Sequence, residues 1–309
     1  MVELSIVIPC YNSSKSIEEL AEKLNLVLID MGVAYEVIFI NDCSKDNSFT
    51  VIKKVVNKYS NMLLIDLMFN VGQFRALYCG LEASSGKFVV TLDDDLQHNP
   101  SDITKLYQTI KEDDDLDAVF GKPAVKEHGI VRNIGSLFIK KVNEQIFRKP
   151  KNLTMSAFRI LRKELVETIL AHNTMYPVFG PMVLKSTNRI INVDIEHSPR
   201  KYGKSNYSTL LLLKTTFDNI INFSSAPLQF ISLFGIMASF TGLILAFIYA
   251  LRYFMFDSIV SGWTTLVVLL NIYGGLILLS IGVIGEYLNR ILVEVQGSPK
   301  YVIREIYKK

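Results

Sequence analysis

Along its first two thirds the chain repeats one pattern, a short unbroken apolar run that empties into a polar cluster. Leu4 to Pro9 ends at Cys10-Tyr11-Asn12, and Tyr35 to Ile40 ends at Asn41-Asp42-Cys43-Ser44-Lys45-Asp46. Met62 to Met68 ends at Asn70-Val71-Gly72-Gln73, and Lys87 to Leu92 at Asp93-Asp94-Asp95-Leu96-Gln97. Runs this short and this rich in branched residues predict strands covered on both faces. Between them, leucines at helical spacing predict a helix over Ser16 to Met31. A second helix starts from an Asp46 cap and runs to Tyr59, and a third reaches about Ser84. The alternation predicts a parallel, doubly wound α/β sheet. Such sheets bind ligands beyond the carboxyl ends of their strands, so the polar clusters collect on one rim.

Further on, the pattern predicts a helix over Ser101 to Lys111, a solvated turn at Asp113-Asp114-Asp115 and a strand over Ala118 to Lys122. From His128 a helix carries a basic stripe of Arg132, Lys140 and Lys141, with Ser136 one turn beyond Arg132. Arg189 to His197 alternates like a strand. The last third changes character. Ser208 to Phe223 is amphipathic and suits a membrane interface. Leu228 to Leu251 carries no formal charge, enough apolar chain to cross ~30 Å of hydrocarbon, and Thr265 to Ile284 is a second such run ending near Glu286. The expected organisation is a domain over 1–207, an interfacial helix over 208–226, a transmembrane hairpin over 227–288 and a C-terminal tail over 289–309.

Charge refines this picture. A net charge of +3 over 309 residues provides no global basic field of the kind nucleic-acid binding requires. Basic residues crowd around the hairpin at Arg200, Lys201, Lys204, Lys214, Arg290, Lys300, Arg304, Lys308 and Lys309, against Arg252 alone in its loop. The positive-inside rule therefore predicts both ends in the cytoplasm. No basic start and long apolar core open the chain, so the first two thirds are expected to stay cytoplasmic. Three cysteines, Cys10, Cys43 and Cys79, lack metal-ligand spacing and read as free thiols in a reducing compartment. Gly274, Gly275, Gly282 and Gly285 permit close helix packing, within the chain or between subunits of a homo-oligomer.

The candidate chemistry sits at the fourth polar cluster. Along an extended chain Asp93 and Asp95 share a face while Asp94 points oppositely. Two carboxylates ~6 Å apart repel by roughly 3 kcal/mol at an effective dielectric near 20. Mg2+ or Mn2+ relieves that repulsion, since such ions are held by one or two carboxylates plus substrate phosphates. A solvated acidic turn is the competing reading. No Gly-x-Gly-x-x-Gly follows the first strand, which argues against a dinucleotide enzyme.

Together the four ordered motifs, Pro9-Cys10-Tyr11-Asn12, Asn41 to Asp46, Asn70 to Gln73 and Asp93 to Gln97, resemble family 2 glycosyltransferases of the GT-A fold. More narrowly, the chain is similar over nearly its whole length to the polyisoprenyl-phosphate glycosyltransferases. That resemblance implies a GT-A (Rossmann-like) nucleotide-sugar domain ahead of the interfacial helix and hairpin. It implies donor binding by Pro9, Tyr11, Asn12, Asp42, Gln73 and Asp93, and metal binding by Asp93, Asp95 and Gln97. It also implies acceptor-phosphate binding by Arg132 and Ser136, and by the loop carrying Arg200, Lys204, Ser205 and Tyr207. Asn41 stands where many members have Asp, and Ser13 where many have Glu. Before Phe158-Arg159, Met155 and Ser156 occupy places where the family commonly has an acid.

The implied reaction is metal-dependent, inverting transfer of a hexose from a nucleotide diphosphate sugar to polyprenyl (undecaprenyl) phosphate at a bacterial inner membrane. UDP-glucose or another UDP-hexose is the expected donor. Asp93 and Asp95 serve the leaving diphosphate, and Asp94 is a candidate base or sugar contact. GDP-mannose as donor, or a catalytically silent membrane scaffold, are the alternatives.

Overall fold

The computed structural model describes residues 2–123, 149–172, 174–175, 177–196, 201, 221, 224–256 and 262–309. These form two compact units, Met1–Ser208 with Pro299–Lys309, and Thr209–Ser298.

In the first unit the strands β1 (Leu4–Cys10), β2 (Tyr35–Asn41), β3 (Met62–Leu67) and β4 (Phe88–Thr91) alternate with helices α1 (Ile17–Asp30), α2 (Ser48–Lys58) and α3 (Gln73–Ala83). β1 pairs in parallel with β2 on one side and β4 on the other, and β3 continues beyond β2. Leu4, Ile6, Val7 and Ile8 are wholly buried, as a strand covered on both faces must be. Helix α3 lies close on the sheet at Gly80, where a Cβ would stand 2.3 Å from Val7 Cγ1. The chain winds outward from β1 to β3, then crosses back over β1 to enter β4. The winding reverses there, so a crevice opens between the carboxyl ends of β1 and β4.

β1 to β4 are parallel as expected, and the rest of the sheet is mixed. Its order is β7-β5-β6-β4-β1-β2-β3-β8. After α4 (Asp102–Glu112), β5 (Ala118–Pro123) runs to the rim. The chain then enters β6 (Arg159–Arg162) from that side, so β6 lies antiparallel to both β4 and β5. Helices α5 (Lys163–Ala171) and α6 (Phe179–Ser186) follow, and β7 (Ile190–Ile195) pairs in parallel with β5. The acidic turn takes Arg162 onto Asp114 and Arg189 onto Asp115, each at 3.3 Å, with both carboxylates facing solvent.

Residues 289–309 are not simply a tail. Ile303–Lys308 forms β8, antiparallel to β3 at the sheet's edge. Arg304 reaches Asp66 on β3 at 3.3 Å, Tyr307 donates to Asn57 at 2.8 Å, and Lys53 Nζ sits 4.5 Å from the Tyr307 ring. A polar-looking segment thus docks through its aromatic ring, its arginine and its ladder bonds.

The second unit contains α7 (Ala226–Phe256) and α8 (Trp263–Val295). Ala226–Tyr249 and Leu266–Val295 are long and apolar enough to cross a membrane, with mean hydropathy 2.2 and 2.4. Their large side chains face outward, Leu243 at 70% and Leu278 at 72% exposure. Tyr273 donates to the Ala238 carbonyl at 3.4 Å and Tyr287 to that of Ser224 at 2.8 Å. Cβ atoms at Gly274, Gly275, Gly282 and Gly285 would meet nothing within 4 Å. These glycines therefore do not mediate packing among the described residues of the hairpin. Apart from Ile221, the amphipathic segment Ser208 to Phe223 lies outside the described residues.

Candidate active site

Four loops leave the carboxyl ends of β1 to β4, and short polar side chains stitch them together. Asn12 donates its N–H to Ser44 Oγ at 3.0 Å and accepts from the Lys45 N–H at 2.8 Å. Ser13 N–H donates to Ser48 Oγ at 2.7 Å, and Asp46 accepts from the Ser14 and Ser48 N–H groups at 3.2 and 3.0 Å. The residue capping α2 is Asn47, which makes no side-chain cap bond; Asp46, the expected cap, stands one place earlier and ties the first loop to the start of α2 through Ser14 and Ser48. Among the described residues, three non-glycine residues have φ in the left-handed region, Asn12 at 55°, Cys43 at 51° and Leu96 at 59°. Each follows a strand end on this rim. A branched residue such as Leu pays roughly 1–2 kcal/mol there, and such strain collects where a site requires it.

Asp42 holds the third loop. One carboxylate oxygen accepts from Val71 N–H at 2.7 Å and the other from Gly72 N–H at 2.9 Å, while Asn70 Nδ2 donates to the Asp42 carbonyl at 3.0 Å. Gly72 has φ 85°, which only glycine adopts without steric cost. Asp42 is 2% exposed, and burial raises its pKa against the lowering effect of those two N–H groups. Beneath it Asn41 Nδ2 donates to Asp66 Oδ1 at 2.6 Å. Aspartate at position 41 would set two carboxylates face to face, so the amide is the local requirement.

The acidic cluster is a turn, not a strand. β4 ends at Thr91, and the backbone reverses through Leu96, so strict alternation does not govern the three carboxylates. Asp94 turns towards the first loop, where its carboxylate accepts from the Tyr11 N–H at 3.3 Å and from the Ser13 hydroxyl. Burial pushes its pKa up to about 6. The Ser13 and Tyr11 bonds oppose that rise, and the charges of Asp93 and Asp95 add to it. Asp93 accepts from Gln73 Nε2 at 2.7 Å, and Asp95 accepts from the Gln97 N–H at 3.0 Å.

Below the rim lies a cavity of about 360 Å3 lined by Pro9, Gln73, Asp93, Arg159, Phe179 and other, mainly apolar, residues. Arg159 donates from Nε to Thr91 Oγ1 at 2.9 Å, and its guanidinium carbon lies 3.6 Å from the Phe179 ring centroid.

With this geometry in place, comparison with known proteins is decisive at the level of family. Residues 5–170, over half the chain, match the profile of Glycosyl transferase family 2. This chain is a family 2 glycosyl transferase. Among curated proteins it is 27% identical to an undecaprenyl-phosphate 4-deoxy-4-formamido-L-arabinose transferase of Photorhabdus laumondii, covering 98% of this chain and 94% of that protein. An uncharacterized glycosyltransferase of Bacillus subtilis, YkcC, is 28% identical with 99% and 94% covered. Among solved structures, glucosyl-3-phosphoglycerate synthase of Mycobacterium tuberculosis with Mn2+ and UDP-glucose superimposes with TM-score 0.53 at 16% identity, covering 71% of this chain and 77% of that one. Its complex with Mn2+, UDP and phosphoglyceric acid gives 0.55 at 16% identity, with 71% and 76% covered. These likenesses show the GT-A fold.

In this family 2 transferase, Pro9, Tyr11, Asn12, Asp42, Gln73, Asp93, Asp94, Asp95 and Gln97 all belong to the rim and its crevice. Tyr11 is 39% exposed, whereas Asp42 is buried with both carboxylate oxygens engaged, so its carboxylate supports a loop. Arg132, Ser136, Arg200, Lys204, Ser205 and Tyr207 lie outside the described residues. Among the described residues no group of three or more His, Cys, Asp or Glu side chains forms a metal cage. Asp93, which lines the cavity, and Asp95 are carboxylate donors of the kind a hard cation takes together with substrate phosphates. Sequence reasoning did not assign a role to Arg159 or to Phe179. The signal available was a charge inside the apolar run Ala157-Phe158-Arg159-Ile160-Leu161, since arginine is rarely buried without a purpose.

Proposed function

We propose that this transferase moves a sugar from a UDP-linked donor to polyprenyl phosphate, inverting at the anomeric carbon, at the cytoplasmic face of a bacterial inner membrane. The observation that carries the reading is the pairing of an Asp93–Asp95 crevice at the β1/β4 switch point with an apolar helical hairpin in the same chain. Relatives that match end to end act on undecaprenyl phosphate, by name, which supports the acceptor. The structural neighbour's complex with Mn2+ and UDP-glucose supports the donor and the ion.

Asp93 and Asp95, with Gln97, would hold Mg2+ or Mn2+, which supplies charge neutralisation at the departing diphosphate. Gln73 keeps Asp93 aimed into the cavity. The rim loops at Pro9, Tyr11 and Asn12 receive the nucleotide, and Asp42 and Asp94 hold those loops in place. A phosphate acceptor, with its second pKa near 6, is already largely ionised at neutral pH. No general base is then required, which agrees with Asp94 serving as a clamp. Arg132, Ser136, Arg200, Lys204, Ser205 and Tyr207 position the acceptor phosphate.

The topology supports a same-side arrangement of the hairpin's ends. β8 follows the hairpin in sequence yet pairs with β3 in the sheet that precedes it, and one sheet does not straddle a bilayer. Together with the basic flanks, this favours both termini in the cytoplasm. The test is incubation of the detergent-solubilised full chain with labelled nucleotide sugars, undecaprenyl phosphate and Mn2+ or Mg2+. A labelled glycolipid is expected from a UDP-sugar, and its absence across the panel overturns the reading.

A further inference from the structure

The cavity under the rim contains a buried cation, Arg159, that takes no part in the rim's hydrogen-bond network. Arg159 is 6% exposed and stands opposite Thr91 in the β4–β6 register. The Thr91 bond fixes its rotation, and the Phe179 ring at 3.6 Å, with Phe120 at 5.6 Å, fixes the plane of its fork. Arginine stacks on aromatic faces in this way when its remaining N–H groups are to be aimed. Among the described residues the Arg159 side chain forms no ion pair and no hydrogen bond other than that to Thr91. Burial lowers its pKa to about 9, with the Asp93 charge opposing that fall, so it stays cationic at neutral pH.

The surroundings narrow what such a fork can meet. Leu77, Leu92, Met155, Val178 and Pro181 make the cavity walls apolar, and Gln73 is already bonded to Asp93. A buried donor facing an apolar cavity is costly until an acceptor arrives. Asp93, which lines the cavity, and Asp95 would hold the ion and the donor's diphosphate at its mouth, so the part of the donor that enters more deeply is the sugar.

We propose that Arg159 is a specificity-determining residue, whose guanidinium, clamped by Thr91 and Phe179, donates hydrogen bonds to a carbonyl or hydroxyl oxygen on the transferred sugar. This rests on the donor reading above. A sugar carrying that oxygen satisfies the fork, whereas one lacking it leaves buried N–H donors without an acceptor. A site built around a buried donor therefore discriminates between sugars far better than apolar walls alone.

The test is calorimetric titration of the full chain in detergent with Mn2+ and, separately, UDP, UDP-glucose, UDP-N-acetylglucosamine and UDP-glucuronate. The wild type is expected to separate the sugars by 10-fold or more. Arg159→Lys should compress that spread to about 3-fold or less while UDP affinity changes less than 3-fold. Phe179→Leu, which keeps the cation and frees its plane, should compress the spread partially and keeps the test decisive if the lysine variant fails to fold. Unchanged sugar ranking in both variants, equal loss of UDP and every UDP-sugar, or a wild type indifferent to the sugar would each overturn the proposal. A wild type that binds no UDP instead overturns the donor reading, and this inference with it.

Discussion

The rim and the cavity beneath it lie within one unit yet are built on opposite principles. On the rim almost every polar group is answered by another protein group: Asp42 by Val71 and Gly72, Asp94 by Tyr11 and Ser13, Asn12 by Ser44 and Lys45. In the cavity, mainly apolar walls surround an arginine whose side chain has one hydrogen-bond partner. A rim complete without ligand is preorganised, and preorganised dipoles cost nothing to reorganise when charge develops. A cavity left incomplete is instead finished by what enters it. Under the proposed function, the contrast would give the invariant half of a nucleotide sugar to the rim and the variable half to the cavity.

The largest effect should come from the proposed task of the rim in holding an ion at the departing diphosphate. Asp95→Asn is expected to lower glycolipid formation by roughly 100- to 1000-fold, the cost of losing one main electrostatic contribution to leaving-group stabilisation, with the thermal unfolding midpoint little changed. Near-normal turnover would take the ion away from this turn. Next comes the ion itself. Since the described residues provide no cage, Mn2+ titrated by electron paramagnetic resonance should bind the free chain weakly and bind at least about 10-fold tighter once UDP completes its shell. Equally tight binding without nucleotide would show a protein-only site and break the division of labour.

The rim was far more legible in the sequence than the cavity, for a physical reason. Strands buried on both faces appear as apolar runs, and each rim loop is the polar segment that ends one, so motif and position coincide. The exact end of β4 was not legible, because Leu92 is as buried as the strand before it although pairing stops at Thr91. β6 is a four-residue strand with arginine at both ends, and β8 is Ile-Arg-Glu-Ile-Tyr-Lys, which has the composition of a solvated tail. Both pair antiparallel and locally carry too little apolar periodicity to be distinguished. The cavity draws Thr91, Arg159 and Phe179 from three separate segments, and no local pattern announces a meeting set by tertiary packing. For the same reason, Arg304 read as a positive charge near a membrane rather than as the partner of a buried aspartate.

That partnership sharpens the comparison, because it ties the rim to the strand that follows the hairpin. Arg304 meets Asp66 at 3.3 Å, and Asp66 is 3% exposed and also accepts from Asn41 under the second loop. Arg304 is about half exposed, so screening limits its worth. Arg304→Ala should lower stability by about 1 kcal/mol, the scale of one hydrogen bond to a charged group discounted for exposure. UDP affinity should fall about 2- to 5-fold while sugar ranking is untouched. A changed ranking with intact UDP affinity would mean that β8 supports the cavity and not the rim.

The smallest effect concerns Asp42 and is read through pH. Its folded pKa is raised by burial above the ordinary carboxylate value. The favourable contribution of that raised pKa is therefore fully present below the unfolded value of about 3.9 and is lost as pH rises through the folded value. Asp42→Asn removes the charge but keeps one carbonyl acceptor for Val71 or Gly72. The difference in unfolding midpoint between wild type and variant should accordingly shrink as pH rises from about 4 towards neutrality, where the wild type bears the burial cost and the variant does not. At neutral pH the variant should lie within about 1 kcal/mol of wild type, one lost backbone bond set against one relieved charge. If the gap instead widens with pH, the ionised carboxylate contributes more through Val71 and Gly72 than its burial costs, and the rim would be an electrostatic lock rather than a scaffold.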